Sequence, residues 1–184
     1  MKPPMIVGLA GPAGVGKNTV ADFLGYDQDY FAKPIYDMLE AGGFGRPKTQ
    51  AEKAAIIPGL GISWRTAAQT LGTEWGRYLM HDLWAVLLER RWRTMDPMKK
   101  FLVVTDVRFE NEAVFVRQRG VLVHVKGREP ILDGEQAKHA SEAGLKAFPL
   151  DLTLYNTSGL LDLHGAVHGL KTHLENLYDV YADQ

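Results

Sequence analysis

The segment Gly11-Pro-Ala-Gly-Val-Gly-Lys-Asn-Thr19 sets glycines and a lysine at the spacing G-x-x-x-x-G-K, between an apolar run and the start of helical periodicity. Glycines let a backbone wrap so that its N–H groups point inward, a helix N-terminus adds positive potential, and Lys17 supplies a point charge. Phosphate is the ligand such a loop fits, and its expected contacts are Gly11, Ala13, Gly14, Val15, Gly16, Lys17, Asn18 and Thr19. One alternative is a glycine-rich turn with an incidental lysine. Another is a dinucleotide loop, but its G-x-G-x-x-G spacing is not met and it has no use for a lysine. The residue after the lysine is normally Ser or Thr, whose hydroxyl ligates Mg²⁺. Here Asn18 stands there and Thr19 follows, so the direct ligand is open between them.

A second group, Thr105-Asp106-Val107-Arg108, closes the most apolar run of the chain. A carboxylate at the C-terminal end of a central strand in an open α/β sheet faces the ligand crevice, so Asp106 is a candidate to hold Mg²⁺ or orient an acceptor. The planar fork of Arg108 suits a transferring phosphoryl group. Against this stands an Asp that merely turns the chain and an Arg paired with Glu110 or Glu112. A third group runs from Trp64 to Arg77. Arg65 and Gln69 are four apart and share a helix face, and Gly72 is expected to end that helix, leaving Thr73 and Glu74 at a tight junction. This set suits a monophosphate and a nucleobase edge, with Trp64 or Trp75 available for stacking; the alternative is a solvated helix face with ordinary caps. Lys33 meets the acceptor phosphate or is simply solvated, and Arg128 heads a lid running to His139 or pairs with Glu129 or Asp133. His164 and His168 stand at i, i+4, but no third ligand completes a metal set.

The elements that must position these groups follow from periodicity. Met5 to Ala10, Phe101 to Thr105 and Val121 to Val125 read as strands covered on both faces, as in a parallel sheet, and Phe109 to Arg119 reads as the helix joining the last two. Tyr30-Phe31-Ala32 and Leu152 to Tyr155 are weaker strand candidates, giving five. Residues 34–95 read as almost wholly helical, with Thr49 and Glu52 forming a capping box, Pro58-Gly59 ending that helix, Ser63 capping a second and Thr73 a third. Leu79, Leu83 and Leu87 with Met80, Trp84 and Leu88 give the third a broad apolar face. The expected architecture is a single α/β domain over residues 1–184: a five-stranded parallel sheet flanked by helices, with a helical arm inserted at about residues 34–95. The stripe Leu160, Leu163, Val167, Leu170, Leu174, Leu177 and Tyr181 packs on the sheet or, as the alternative, joins two copies as a coiled-coil homodimer.

With 21 basic and 22 acidic residues the net charge is -1, which excludes a global field for long nucleic acid or an anionic membrane. The absence of cysteine excludes thiolate chemistry and disulfides. No apolar run approaches the roughly 20 residues of a membrane span, and Met-Lys-Pro-Pro runs straight into a strand, so a cytoplasmic protein without a signal peptide is expected.

Together these segments resemble the bacteriophage deoxynucleoside monophosphate kinases. The resemblance rests on the glycine loop through Asp22, Phe31-Ala-Lys-Pro-Ile35, Arg65 with Gln69, Gly72-Thr73-Glu74 with Arg77, Asp106-Val-Arg-Phe with Asn111-Glu112-Ala113, His139-Ala-Ser-Glu142, and Asn156 before Gly159. Members often carry Asp where Asn18 stands. The resemblance implies a P-loop fold and ATP- and Mg²⁺-dependent transfer of a phosphoryl group to a deoxynucleoside monophosphate, in the host cytoplasm if the protein is phage-encoded. On that reading Lys17 and the loop amides hold the donor, and Asp106 with Asn18 or Thr19 holds Mg²⁺. Arg65 and Lys33 hold the acceptor phosphate, Gln69, Gly72, Thr73 and Glu74 face its nucleoside, and Arg108 and Arg128 neutralise charge in catalysis. Two other readings are a kinase of another small phosphorylated metabolite, of the phosphomevalonate or dephospho-coenzyme A type, and a P-loop ATPase acting as a switch or assembly factor.

Overall fold

Strand β1 (Met5–Ala10) has no exposed residue, and its side chains alternate between two cores. Ile6 and Ala10 face one, Val7 and Leu9 the other. The structure is a computed structural model and describes residues 3–127 and 144–182. In it β1 is central to a five-stranded sheet in the order β2-β3-β1-β4-β5, where β2 is Asp27–Asp29, β3 Phe101–Val107, β4 Gly120–Lys126 and β5 Leu152–Tyr155. Every pairing is parallel. Parallel neighbours need crossovers, and the helices supplying them cover both faces.

On one face α1 (Lys17–Leu24) and α8 (Leu160–Ala182) pack through Val20, Leu24, Leu163, Val167 and Leu174. The middle of the leucine stripe is therefore spent on this chain's own sheet, while Leu160 and Leu177 are exposed. On the other face lie α2 (Lys33–Ala41), α4 (Trp64–Gln69), α6 (Leu83–Arg93) and α7 (Glu110–Arg117). A short α3 (Gln50–Ala54) and α5 (Gly76–Leu79) complete the arm. No helix among the described residues is long and apolar enough to cross a membrane.

Three expectations are corrected. The second strand is Asp27–Asp29, not Tyr30–Ala32, because a sheet-edge strand needs hydrogen bonds on one side only and tolerates polar residues, whereas Phe31 is buried at the entry to α2. The helix opened by Thr49, whose hydroxyl accepts the Glu52 N–H, ends at Ala54 before reaching Pro58. Gly72 ends no helix, and Thr73 caps none. From Ser63, whose hydroxyl caps α4, the chain stays helical to Leu79 through a π-helical turn at Thr70–Trp75. The break comes at Met80, so Leu79 and Met80 are exposed and the apolar face is carried by Trp84, Leu88 and Trp92 of α6. Gly72 and Gly76 are there for closeness. A Cβ at Gly76 would lie 2.1 Å from the Trp84 ring and one at Gly72 2.9 Å from Ile35, and the Trp84 indole N–H donates to the Gly72 carbonyl at 2.7 Å.

Candidate active site

The turn from β1 into α1 is left-handed at Gly16, with φ 102°, a region that favours glycine. No side chain caps α1 and its first turn holds no acidic residue, so its leading N–H groups are available to an anion. The Lys17 ammonium folds back over the loop and donates to the carbonyls of Gly11 at 2.6 Å and Pro12 at 2.9 Å. Burial holds its pKa down to about 8; the Arg108 charge adds to this and Asp106 opposes it. The loop borders a cleft of about 580 Å³, within the usual range for small-molecule sites. Ala13, Gly14, Gly16, Lys17 and Asn18 line it, whereas Gly11, Val15 and Thr19 do not; Val15 points into the core.

Asp106 projects from the end of β3 into the same cleft, and both carboxylate oxygens are engaged. Oδ1 accepts the Phe31 N–H at 2.8 Å and Oδ2 the Ala32 N–H at 3.0 Å, which pins the entry to α2. Burial raises its pKa; the two N–H groups and Arg108 oppose the rise. A carboxylate has about four lone-pair sites, so the one beside Lys17 keeps capacity for a further ligand. Among the described residues no cluster of three or more His or acidic side chains could hold a metal. Mg²⁺ in phosphoryl transfer needs only one or two protein ligands beside the phosphates. Asn18 and Asp106, both lining the cleft, fit that requirement better than Thr19.

Behind Asp106 the turn after β3 is held by Glu112, 3 % exposed, at the third position of α7. Its Oε2 accepts the N–H groups of Arg108 at 2.9 Å and Phe109 at 3.1 Å, and its Oε1 accepts from Arg77 Nη2 at 2.5 Å. Burial, and then the Asp106 charge, push the Glu112 pKa up to about 7. The Arg77 guanidinium lies 3.5 Å from the Phe109 ring centroid and also donates to Asn111 Oδ1 at 3.0 Å. This is a buried ion pair joining the arm to the β3–α7 turn.

Across the cleft, Arg65, Gln69, Gly72 and Thr73 line the arm side. Arg65 Nη2 donates to Gln50 Oε1 at 2.6 Å, while Arg65 Nε and Gln69 Nε2 are buried without a hydrogen-bond partner among the described residues. Burial, and then Arg108, lower the Arg65 pKa. Lys17, Arg108 and Arg65 thus crowd around one space, and Arg108 depresses the pKa of both others.

Other expected site residues lie elsewhere. Lys33 pairs with Asp37 at 2.8 Å, one helical turn on, and does not line the cleft. Glu74 is exposed and outside the lining because the π-helical turn carries it outward, and Trp75 is 44 % exposed outside it too. Arg128, with its lid to His139, lies outside the described residues. His164 meets Phe23 edge-on at 5.1 Å.

Of the aromatic wall on the arm side, sequence reasoning named Trp64, which lines the cleft, and missed its neighbours Tyr36 and Lys53. Tyr36 packs against Trp64 with ring centroids 4.5 Å apart and planes tilted by 58°, Lys53 stands 5.5 Å over the Tyr36 ring, and all three line the cleft. The available signal for Tyr36 was its place on α2 next to buried Ile35, one step round from the core face.

Residues 60–167 match the model of a protein family described as Deoxynucleotide monophosphate kinase, which is more than half of the 184-residue chain. Among solved structures the chain is similar to a shikimate kinase from Aquifex aeolicus vf5, at 13 % identity and a TM-score of 0.51, over 95 % of this chain and 99 % of that one. A shikimate kinase from Bacteroides thetaiotaomicron is similar at 13 % identity and 0.51, over 93 % and 98 %. A gluconokinase from Sinorhizobium meliloti 1021 aligns over 97 % and 98 % at 14 % identity with a TM-score of 0.46. No curated protein is significantly similar. At such identities the shikimate kinases speak for the fold, a five-stranded parallel P-loop kinase sheet.

Proposed function

Because the chain belongs to the deoxynucleotide monophosphate kinase family and is a phosphotransferase, we propose that it transfers the γ-phosphoryl group of ATP to a deoxynucleoside 5'-monophosphate, giving the diphosphate. The observation that carries this reading is the pair of facing cation sets in one cleft, Lys17 at the head of α1 and Arg65 on the arm, with Arg108 electrostatically coupled to both. A reaction between two phosphate esters requires that arrangement, since each polyanion needs its own cations and a third must follow the moving charge.

Lys17 and the N–H groups of Gly14 and Gly16 take the donor phosphates. The Lys17 ammonium exchanges its two loop carbonyls for phosphate oxygens, which restores its full charge. Arg65, with its unpartnered Nε, holds the acceptor phosphate. Gln69 and Thr73 face the acceptor nucleoside, and the Tyr36–Trp64 wall offers a surface for its base. Arg108 stands between the two phosphates and neutralises the charge that develops as the bond to the leaving oxygen lengthens. Asn18 and Asp106 are the residues that would hold Mg²⁺, which would supply positive charge against the phosphates. The chain offers no covalent nucleophile in this scheme; it aligns, screens water and supplies charge.

A coupled assay of ADP release across the common deoxynucleoside and ribonucleoside monophosphates tests the proposal. The expected result is acceptor-dependent turnover with at least one deoxynucleotide. ATP consumption that no monophosphate accelerates, or acceleration only by a non-nucleotide phosphate, would refute it.

A further inference from the structure

The phosphate loop has a support on its far side that the reaction scheme leaves unused. Asn156, immediately after β5, is 2 % exposed. Its backbone N–H donates to the Lys126 carbonyl at 2.7 Å, tying it to the end of β4. Its side-chain Nδ2 donates to the Val15 carbonyl at 2.8 Å, while Oδ1 is buried without a hydrogen-bond partner among the described residues. A Cβ on Gly16 would sit 2.5 Å from that same Nδ2, so the amide fills the space under the loop apex and Gly16 must lack a side chain.

A trans peptide unit is planar, with its C=O and N–H pointing in opposite directions. The C=O of Val15 and the N–H of Gly16 belong to one such unit. With the carbonyl held back toward Asn156, the Gly16 N–H is turned away from the support and toward the cleft, which Gly16 lines and Asn156 does not. Val15 is fully buried, so its side chain leaves the unit little room to rotate. A glycine at φ 102° would otherwise flip between orientations with ease.

We propose that Asn156 is a positioning residue for the phosphoryl donor: it locks the Val15–Gly16 peptide so that the Gly16 N–H is aimed at the donor phosphates before they arrive. The inference rests on the reading that the loop binds the donor, and it concerns phosphates rather than the base of the nucleotide.

The test measures affinities of ATP, inorganic tripolyphosphate and an accepted deoxynucleoside monophosphate by calorimetry in the wild type, Asn156→Asp, Asn156→Ala and Lys17→Ala. Asn156→Asp keeps the shape but turns the donor into an acceptor facing a carbonyl. Both Asn156 variants should weaken ATP and tripolyphosphate by the same factor, about ten- to a hundredfold for one charge-assisted hydrogen bond mis-aimed, and leave monophosphate affinity within about twofold. Equal weakening of all three ligands makes Asn156 a general support of the fold and overturns the proposal. Loss of ATP binding with tripolyphosphate binding intact does so too, by assigning the residue to the base. If Lys17→Ala also leaves ATP and tripolyphosphate unaffected, the donor reading of the loop itself has failed. If Lys17→Ala abolishes both while the Asn156 variants change neither, only the positioning role has failed. Should the variants not fold, the Gly16 amide resonance of the wild type decides: it should shift on titration with tripolyphosphate, and an unmoved resonance overturns the proposal.

Discussion

Replacing Arg77 by Met probes the buried pair that joins the arm to the turn after β3. The Met side chain fills much of the vacated space and still touches the Phe109 ring, but it brings no charge to a Glu112 that is 3 % exposed. Where Glu112 is ionised, the variant leaves a buried carboxylate answered, among the described residues, by the N–H groups of Arg108 and Phe109 alone. Breaking such a pair costs about 3–5 kcal/mol. At this chain length each kcal/mol moves the melting temperature by roughly 2–4 °C, so the variant should melt about 6–20 °C lower above neutral pH. The pH dependence follows from Glu112, whose pKa is raised from 4.5 to about 7 on folding. The folded protein therefore binds this proton more tightly than the unfolded chain, and the contribution of Glu112 to stability falls as pH rises through that window. Removing Arg77, which opposes the rise, lifts the pKa further and prolongs the fall. At about pH 5.5 the carboxyl is protonated in both folded proteins, and the difference between them should shrink to roughly 1–2 kcal/mol, the value of a hydrogen bond and some packing. Urea unfolding followed by tryptophan fluorescence at about pH 5.5 and 8.5 measures both differences. An equal loss at the two pH values, or a loss below about 1 kcal/mol at the higher one, refutes the account of the pair.

Lys17→Ala should depress phosphoryl transfer by orders of magnitude without lowering the melting temperature, since the folded chain holds that ammonium partly out of water; a fall of several degrees would show a structural role. In the wild type, ATP affinity should decline as pH rises through about 8, where unliganded Lys17 loses its proton, and calorimetry in buffers of different ionisation enthalpy should detect proton uptake on binding. Identical heats would contradict this. Arg65→Ala should weaken monophosphate affinity by about ten- to a hundredfold, the value of a charged hydrogen bond, with ATP affinity nearly unchanged; the reverse pattern would exchange the two sides of the cleft. Asp106→Asn leaves one acceptor for two N–H donors, so it should cost about 1–3 kcal/mol and raise the Mg²⁺ concentration for half-maximal rate. A loss of stability with an unaltered Mg²⁺ requirement would confine Asp106 to the fold.

The inner strands were readable from sequence because burial on both faces leaves a continuous apolar run, as Phe101 to Val104 shows. Strand β2 was not, since Asp27-Gln28-Asp29 pairs on one side only and its polar residues carry no such signal; the apolar Phe31, two residues beyond its end, drew the expectation past it. The glycine loop could be placed because all its parts are local in sequence. Arg65 and Gln69 shared a face by simple helical spacing. Gly72 was misread because a glycine that stops a helix and one that admits a neighbour look alike until Trp84 and Ile35 are seen against it. Tyr36 over Trp64, Glu112 under Arg77 and Asn156 under Val15 join segments far apart in the chain, and no local pattern records such meetings.

The π-helical turn at Thr70–Trp75 sets an angular phase for the arm. Arg77 lies twelve residues after Arg65, and twelve steps of about 100° in an unbroken α-helix would leave the two arginines roughly 120° apart around the axis. A wider turn absorbs about one residue, which brings the offset to roughly 20° and sets both on the side that borders the cleft. The arm therefore carries one residue more than a straight helix would need to keep that alignment. Deleting a residue within this turn would tighten it to α-helix with both arginines still facing inward, whereas the same deletion in α6 would rotate everything beyond it by a quarter turn or more.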